Sequence, residues 1–256
     1  MPQYKGTLNI QNTKPDIMKL KITTLLLITA AMTFSACKKD KTEPEPENLG
    51  PEFVQLSEHI KKYRNGVVEV SKYPIDMTRK NSLKNDYFSF DENKFLTEDK
   101  ANSKDWHIVI RGFNSLIVTN NSTVLNAPWT GNGSDVRTSG LLRNFDEVNT
   151  VEAAALDFAG PYSTAIGAYS YHDLPYEQVP AFWAKEQYDE LGDFTFLKPD
   201  PNRTFIIKLN DGRYVKFQYI NIYKEDVDKL SPTSEKGFLS FRYFVAKAGS
   251  ADVKTK

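Results

Sequence analysis

Two β-prone runs joined by Asn210-Asp211-Gly212 constrain this chain more than any other feature. Residues 204–209 (TFIIKL) and 213–223 (RYVKFQYINIY) are dense in β-branched and aromatic side chains. Asp-Gly supplies the positive φ angles that a tight hairpin turn demands. In the second run Tyr214, Lys216, Gln218, Ile220 and Ile222 fall on one face, while Val215, Phe217, Tyr219 and Tyr223 largely share the other. The pattern predicts an antiparallel hairpin.

Further strand signals follow the same logic. Residues 67–70 (VVEV) precede a Tyr-Pro turn, and 87–90 (YFSF) pair with Phe95-Leu96 across the turn 91–94. In 106–111 (WHIVIR) the alternation puts Trp106, Ile108 and Ile110 on one face. Residues 116–118 (LIV) and 238–245 (FLSFRYFV) complete the set. The Gly-, Ser-, Asn- and Thr-rich stretch 129–140 predicts an irregular loop. Two segments carry helical signals. Phe53, Leu56, Ile60 and Tyr63 share a helical face behind Pro51, and 181–191 is opened by Pro180 and closed by Gly192. The expected fold is all-β, mainly antiparallel sheets, with one or two short helices. With 16 Phe and 13 Tyr, the aromatics suit a β core or an aromatic-lined pocket.

The N-terminal part reads differently. Residues 18–36 carry a charged start (Lys19, Lys21), an apolar run from Ile22 to Phe34 and small residues before Cys37, the only cysteine. That run falls short of the roughly 20 residues that span a bilayer, so it predicts a removable secretory signal. Residues 1–17 lie outside that pattern and read as an extension before the true start, Met18. Phe34-Ser35-Ala36-Cys37 resembles a bacterial lipobox, which predicts lipidation at Cys37 and an anchor in outer-membrane lipid. Residues 37–50 (CKKDKTEPEPENLG), charged and proline-bearing, predict a disordered tether. The expected domain runs over 51–246, followed by a disordered tail, 247–256. A single cysteine leaves no partner for an internal disulfide. Without residues 1–36 the chain has 29 Lys and Arg against 32 Asp and Glu, which gives nucleic-acid binding no electrostatic support.

Several stretches together resemble the HmuY-like haem-binding lipoproteins of Bacteroidota. They are the lipobox, Tyr87-Phe88-Ser89-Phe90, 105–111 (DWHIVIR), 117–121 (IVTNN), the hairpin 205–219 around Asp211-Gly212, and 237–243 (GFLSFRY). The resemblance spans roughly residues 66–246 and implies an all-β fold, haem capture without catalysis, and delivery to an outer-membrane receptor. Lys38-Lys39-Asp40 loosely matches the surface-export signal of such lipoproteins, so the cell surface is the expected location, with the periplasmic face as the alternative.

The chain departs from the family where the iron would sit. Family carriers use two axial His or two axial Met from loops of the second half. After residue 37 this chain has one methionine, Met77, and its histidines are His59, His107 and His172. His59 falls on the expected early helix, and His107 in a strand that the resemblance marks as structural. His172, in 169–176 (YSYHDLPY), is the candidate ligand to haem iron, with Asp173 able to orient its ring. A second ligand could be Tyr171, Tyr169 or Tyr176, or the iron could be five-coordinate. Trp129, in a loop after Pro128, is a candidate to stack on the ligand or to pack in the interior. The shortage of His and Met leaves an alternative open: the same scaffold binding a glycan or a partner protein.

Other chemistry is poorly supported. Gly131-Asn132-Gly133-Ser134-Asp135 lacks the third glycine of a dinucleotide loop and any following Gly-Lys-Ser/Thr. No His pair stands at metal-ligand spacing, and Ser134 lacks a Gly-x-Ser-x-Gly context. The expectation is a binding protein rather than an enzyme.

Overall fold

The computed structural model describes residues 52–76, 85–111, 116–160, 162–168 and 181–255, all within the compact unit Leu49–Lys256. In chain order the strands are β1 (Phe53–Ser57), β2 (Ile60–Tyr63), β3 (Val68–Pro74), β4 (Asn85–Ser89) and β5 (Lys94–Leu96). Then come β6 (Ile108–Arg111), β7 (Leu116–Thr119), β8 (Arg137–Leu141), β9 (Ala165–Ala168) and β10 (Phe182–Tyr188). The last four are β11 (Phe194–Pro199), β12 (Thr204–Lys208), β13 (Tyr214–Tyr223) and β14 (Lys236–Val245). They form two seven-stranded sheets, ordered β1-β2-β3-β14-β13-β12-β8 and β11-β10-β9-β7-β6-β4-β5. All pairings are antiparallel except β9 with β10. The all-β expectation holds.

The β12–β13 hairpin forms as its sequence dictates, with Phe205 opposite Phe217 and Gly212 at φ 83° in the turn. The β4–β5 hairpin also forms, Tyr87 facing Leu96. In β13 the register against β14 shifts on either side of Asn221. Those bulges return Ile222 to the side of Val215, Phe217, Tyr219 and Tyr223, so all five line the core. The face assignment of Ile222 from simple alternation is therefore corrected.

Both expected helices are absent. Residues 53–63 form the β1–β2 hairpin, and 182–188 form β10. Ile60 still packs in the core, but as one position of a strand whose neighbours Lys61 and Lys62 are less buried. Among the described residues the only helical turns are short 3-10 segments, and no helix is long and apolar enough to cross a membrane. Three smaller expectations also change. β3 extends over the Tyr-Pro pair to end at Pro74, β8 begins within the stretch read as loop, and Trp106 packs on the side of the sheet opposite Ile108 and Ile110.

The main core lies between the sheets, where Phe88, Phe90, Ile108, Ile110, Ile117 and Trp183 meet Phe217, Tyr219, Phe241 and Tyr243. The outer face of the second sheet is covered by Trp106 and Trp129 over Tyr87 and Val109. The outer face of the first is covered by Val148 and Val151 from one segment and Ala246 and Val253 from another, over Ile206. The centre of each sheet is thus buried on both faces, which explains why β6 reads as an unbroken apolar run.

The expected disordered tail is a correction. Val253 is buried, and the Val151 N–H donates to the Ala251 carbonyl at 2.8 Å. The Val253 N–H donates to Asn149 at 2.9 Å, while Asn65 Nδ2 donates to the Thr255 carbonyl at 2.7 Å.

Candidate functional site

Chain direction gives the sandwich two distinct ends. At one, β4 begins, β6 ends, β7 begins and β9 ends, as the registers Asn85 with Arg111, Arg111 with Leu116 and Ile117 with Ile166 require. β10 runs parallel to β9, so it continues past that end into its hairpin with β11. The first sheet brings the end of β13 and the start of β14 to the same place. There the Leu197 N–H donates to Tyr223 Oη at 2.8 Å, and Lys236 Nζ stands 4.8 Å from the Phe194 ring centroid. The opposite end holds the start of β6 with the β4–β5 and β12–β13 turns.

His172, Tyr169, Tyr171 and Tyr176 lie outside the described residues. Their flanks are described. Gly167 faces Phe182 across the β9–β10 ladder, and the Gly167 N–H donates to the Ala181 carbonyl at 3.1 Å. The chain therefore leaves for residues 169–180 and returns from them at the end of the sandwich that carries the β10–β11 hairpin.

That hairpin presents Tyr188, Leu191 and Phe194, all exposed and apolar, with the Tyr188 and Phe194 rings 6.2 Å apart. The turn is built by Asp189, whose carboxylate accepts the N–H groups of Leu191 and Asp193 at 2.9 Å each. Gly192 at φ 83° completes it. Beside the hairpin, burial holds the Lys236 ammonium below its ordinary pKa, and it lies over the rings of Phe194 and Tyr223. An aromatic and aliphatic surface bordered by one partly desolvated cation suits a flat apolar ligand that carries carboxylates. Sequence reasoning missed these residues, because Pro180 and Gly192 imitate helix caps. The Asp-Glu-Leu-Gly-Asp turn between Tyr188 and Phe194 was the available signal.

The two described histidines differ in what their nitrogens can do. His107 is buried, and its Nδ1 accepts the Phe90 N–H at 3.1 Å. Its proton is thereby placed on Nε2, 3.7 Å from Asp91, which in turn pairs with Arg213 at 2.7 Å. With its lone pair engaged and its ring stacked on Phe90, His107 has nothing to offer an iron. It also sits at the end opposite the β10–β11 hairpin. His59, at the β1–β2 turn, directs Nδ1 to the Ser71 carbonyl at 3.1 Å and stands edge-on to Tyr73. Trp129 is fully buried, edge-on to Trp106 with centroids 4.9 Å apart, and has no ring face open to a ligand. Among the described residues no three His, Cys, Asp or Glu side chains are grouped to hold a metal ion.

The buried His107 makes stability pH-dependent. Desolvation holds its pKa below 6.5; Arg213 lowers it further, while Asp91 and Asp211 oppose the shift. The unfolded chain then takes up a proton more readily than the folded one. The contribution is complete above about pH 6.5 and lost as the pH falls through the folded pKa. His107→Asn, whose Oδ1 can still accept the Phe90 N–H, is expected to shrink the gap in urea midpoint between pH 7.5 and pH 5.5. An unchanged gap would assign that pH dependence to other groups.

Two stacked, doubly covered sheets with a ligand-suited surface at one end define an all-β sandwich protein. The chain belongs to the HmuY family: the family's model, described as HmuY protein, matches residues 81–243. Solved structures similar to it come from the Bacteroidota. A candidate HmuY-like haem-binding protein of Bacteroides vulgatus shares 15% identity, covering 70% of this chain and 92% of that one, with a TM-score of 0.36. A candidate lipoprotein of Bacteroides fragilis shares 11%, covering 75% and 95%, with a TM-score of 0.36. The apo HmuY analogue of Tannerella forsythia shares 15%, covering 70% and 97%, with a TM-score of 0.34. No curated protein matches the chain.

Proposed function

We propose that this protein binds haem, or a related tetrapyrrole, for iron acquisition and does not transform it. Membership of the HmuY family is the observation that carries the reading. The β10–β11 end supports it. Tyr188, Leu191 and Phe194 offer apolar area to the macrocycle, and Lys236 offers a cation to a propionate. His172, in the segment that departs from and returns to this end, is the proposed iron ligand, with Tyr171, Tyr169 or Tyr176 as a second ligand or none. Bound haem would supply the iron centre; the chain's part is to hold the ring and keep water from it. We further propose lipidation at Cys37, residence at the outer-membrane surface, and hand-over to an outer-membrane receptor.

Titrating haemin into the purified protein is expected to give a Soret shift that His172→Ala diminishes and Lys236→Glu weakens several-fold. A flat titration removes the haem reading and favours the alternative of a glycan or partner protein. Cys37→Ser is expected to move the chain from the membrane fraction to the soluble one, and continued membrane retention would count against the anchor.

A further inference from the structure

We propose that β1 is a lipid-docking edge: Phe53, Val54 and Leu56 enter the headgroup boundary of the membrane that holds Cys37, with Lys61 and Lys62 set against anionic headgroups. The inference rests on the lipid anchor proposed above and is independent of haem. β1 is the terminal strand of the first sheet, bonded on one side to β2. Among the described residues no strand takes its other edge. Phe53, Val54 and Leu56 are 38%, 59% and 43% exposed, although the strands at the centre of the same sheet are largely buried. Edge strands are usually guarded by Lys, Pro or an inward charge, and residues 53–57 (FVQLS) carry none of these.

Chain length names the occupant. Residues 38–52 are all that lies between Cys37 and β1. Even fully extended they reach at most about 55 Å, little more than the roughly 40 Å diameter of a domain of this size. An anchor at residue 37 therefore keeps β1 within that distance of lipid, and the strand that the tether enters is the part of the domain brought to the surface first. Charge follows the same geometry. Lys61 and Lys62 stand one strand, about 4.8 Å, behind β1. Lys62 is the ladder partner of Val54 on one side, while on the other Lys61 Nζ lies 4.9 Å from the Phe53 ring centroid. A cation thus flanks the apolar edge on each side, at the level of the phosphates once the edge is seated. Arg64, also exposed, follows the end of β2. Glu52 and Glu58 bound the strand, so the apolar contact is confined to the residues between them. The contact asks no regular register of β1, so the bulge that leaves Leu56 without a partner on β2 does not disturb it. Free backbone groups along the edge exclude the hydrocarbon itself and fix the depth at the headgroup boundary. So small a contact is weak alone, and tethering makes it effective by holding the edge at high local concentration beside the lipid.

The test couples the chain from Cys37 onward, through that sole thiol, to a maleimide lipid in vesicles. The vesicles are phosphatidylglycerol mixed with phosphatidylcholine brominated near the headgroup end of its acyl chains. The native tryptophans are fully buried, so the emission added by Val54→Trp or Phe53→Trp is read by difference from the wild type. Brominated lipid is expected to quench that added emission at least about twofold at both positions. Leu125→Trp, in an exposed loop of the second sheet, is expected to stay unquenched. Lys61→Glu combined with Lys62→Glu should lower the quenching at least about twofold, as should omission of phosphatidylglycerol. No quenching at either position overturns the proposal. Quenching at one position alone would lay a sheet face on the lipid, and a blue shift without quenching would assign the edge to a protein partner; each overturns it as well. Failure of the anchor is read separately, in cells. A chain with Cys37 intact that stays wholly soluble removes both readings, whereas one held at the membrane but unquenched on vesicles removes the edge contact alone.

Discussion

Phe88→Ala is expected to destabilise the protein by about 3–5 kcal/mol, the range for removing a large aromatic from a close-packed core. Phe88 sits on β4 at the plane where the sheets meet. Its ring lies edge-on to Phe90, Phe95, Phe241 and Tyr243, with centroids 4.9–5.7 Å away. Two of those rings belong to the opposite sheet, so a cavity here loosens the contact that joins the layers. For a domain of this size the loss corresponds to a fall in melting temperature of roughly 6–20 °C. Phe88→Leu should cost about 1.5 kcal/mol or less if neighbours can repack. Leu125→Ala, at an exposed loop position, should stay within about 0.5 kcal/mol. Urea unfolding of the three variants checks the ranking; equal midpoints for Phe88→Ala and Leu125→Ala would refute the inter-sheet role.

Ending the chain at Ala246 is expected to cost about 3 kcal/mol, because it takes a hydrogen bond from a buried ammonium and the buried Val253 side chain from the outer face of the first sheet. Lys216 on β13 is fully buried and donates from Nζ to the Val148 carbonyl at 2.9 Å and to Thr255 Oγ1 at 3.0 Å. Its ammonium also lies 4.3 Å from the Phe145 centroid, whose ring meets the Arg242 guanidinium at the same distance. Arg242 donates to Gln218 Oε1 at 2.8 Å and stands 3.5 Å from Asp146, which supplies the balancing carboxylate. Removing residues 247–256 takes away Thr255, uncovers the outer face of the first sheet and deletes the burial of Val253. Adding Lys216→Met to the shortened chain should recover part of the loss, since it removes a buried charge that has lost one hydrogen bond while keeping most of the volume. Urea midpoints of the two chains decide it. A shortened chain as stable as the full one would show the tail to be dispensable.

How much of this was legible can be followed residue by residue. The β12–β13 and β4–β5 hairpins were readable because turn chemistry and a period of two are local properties. The β1–β2 and β10 segments were misread for the same reason. Phe53, Leu56, Ile60 and Tyr63 satisfy a helical spacing and not a period of two, and it is pairing with β3, a distant partner, that holds the segment as a hairpin. His107 was recognised as structural, and its engaged lone pair supplies the chemistry behind that reading. Tyr188, Leu191, Phe194 and Lys236 were not identified as a group. Lys236 is 42 residues from Phe194 in the numbering and reaches its ring only because the two sheets stack.

The amino-acid sequence by itself determined the all-β class, two hairpins and the family. Each rests on short stretches whose meaning does not depend on distant partners. Tertiary structure alone decided which sheet each strand joins, that both faces at the centre of each sheet are covered, and that the polar tail covers Lys216. Burial is a relation between segments far apart in the chain. Ala246–Thr255 carries almost no apolar signal of its own, and becomes part of the core only where Ile206 and Val148 give it a surface to cover.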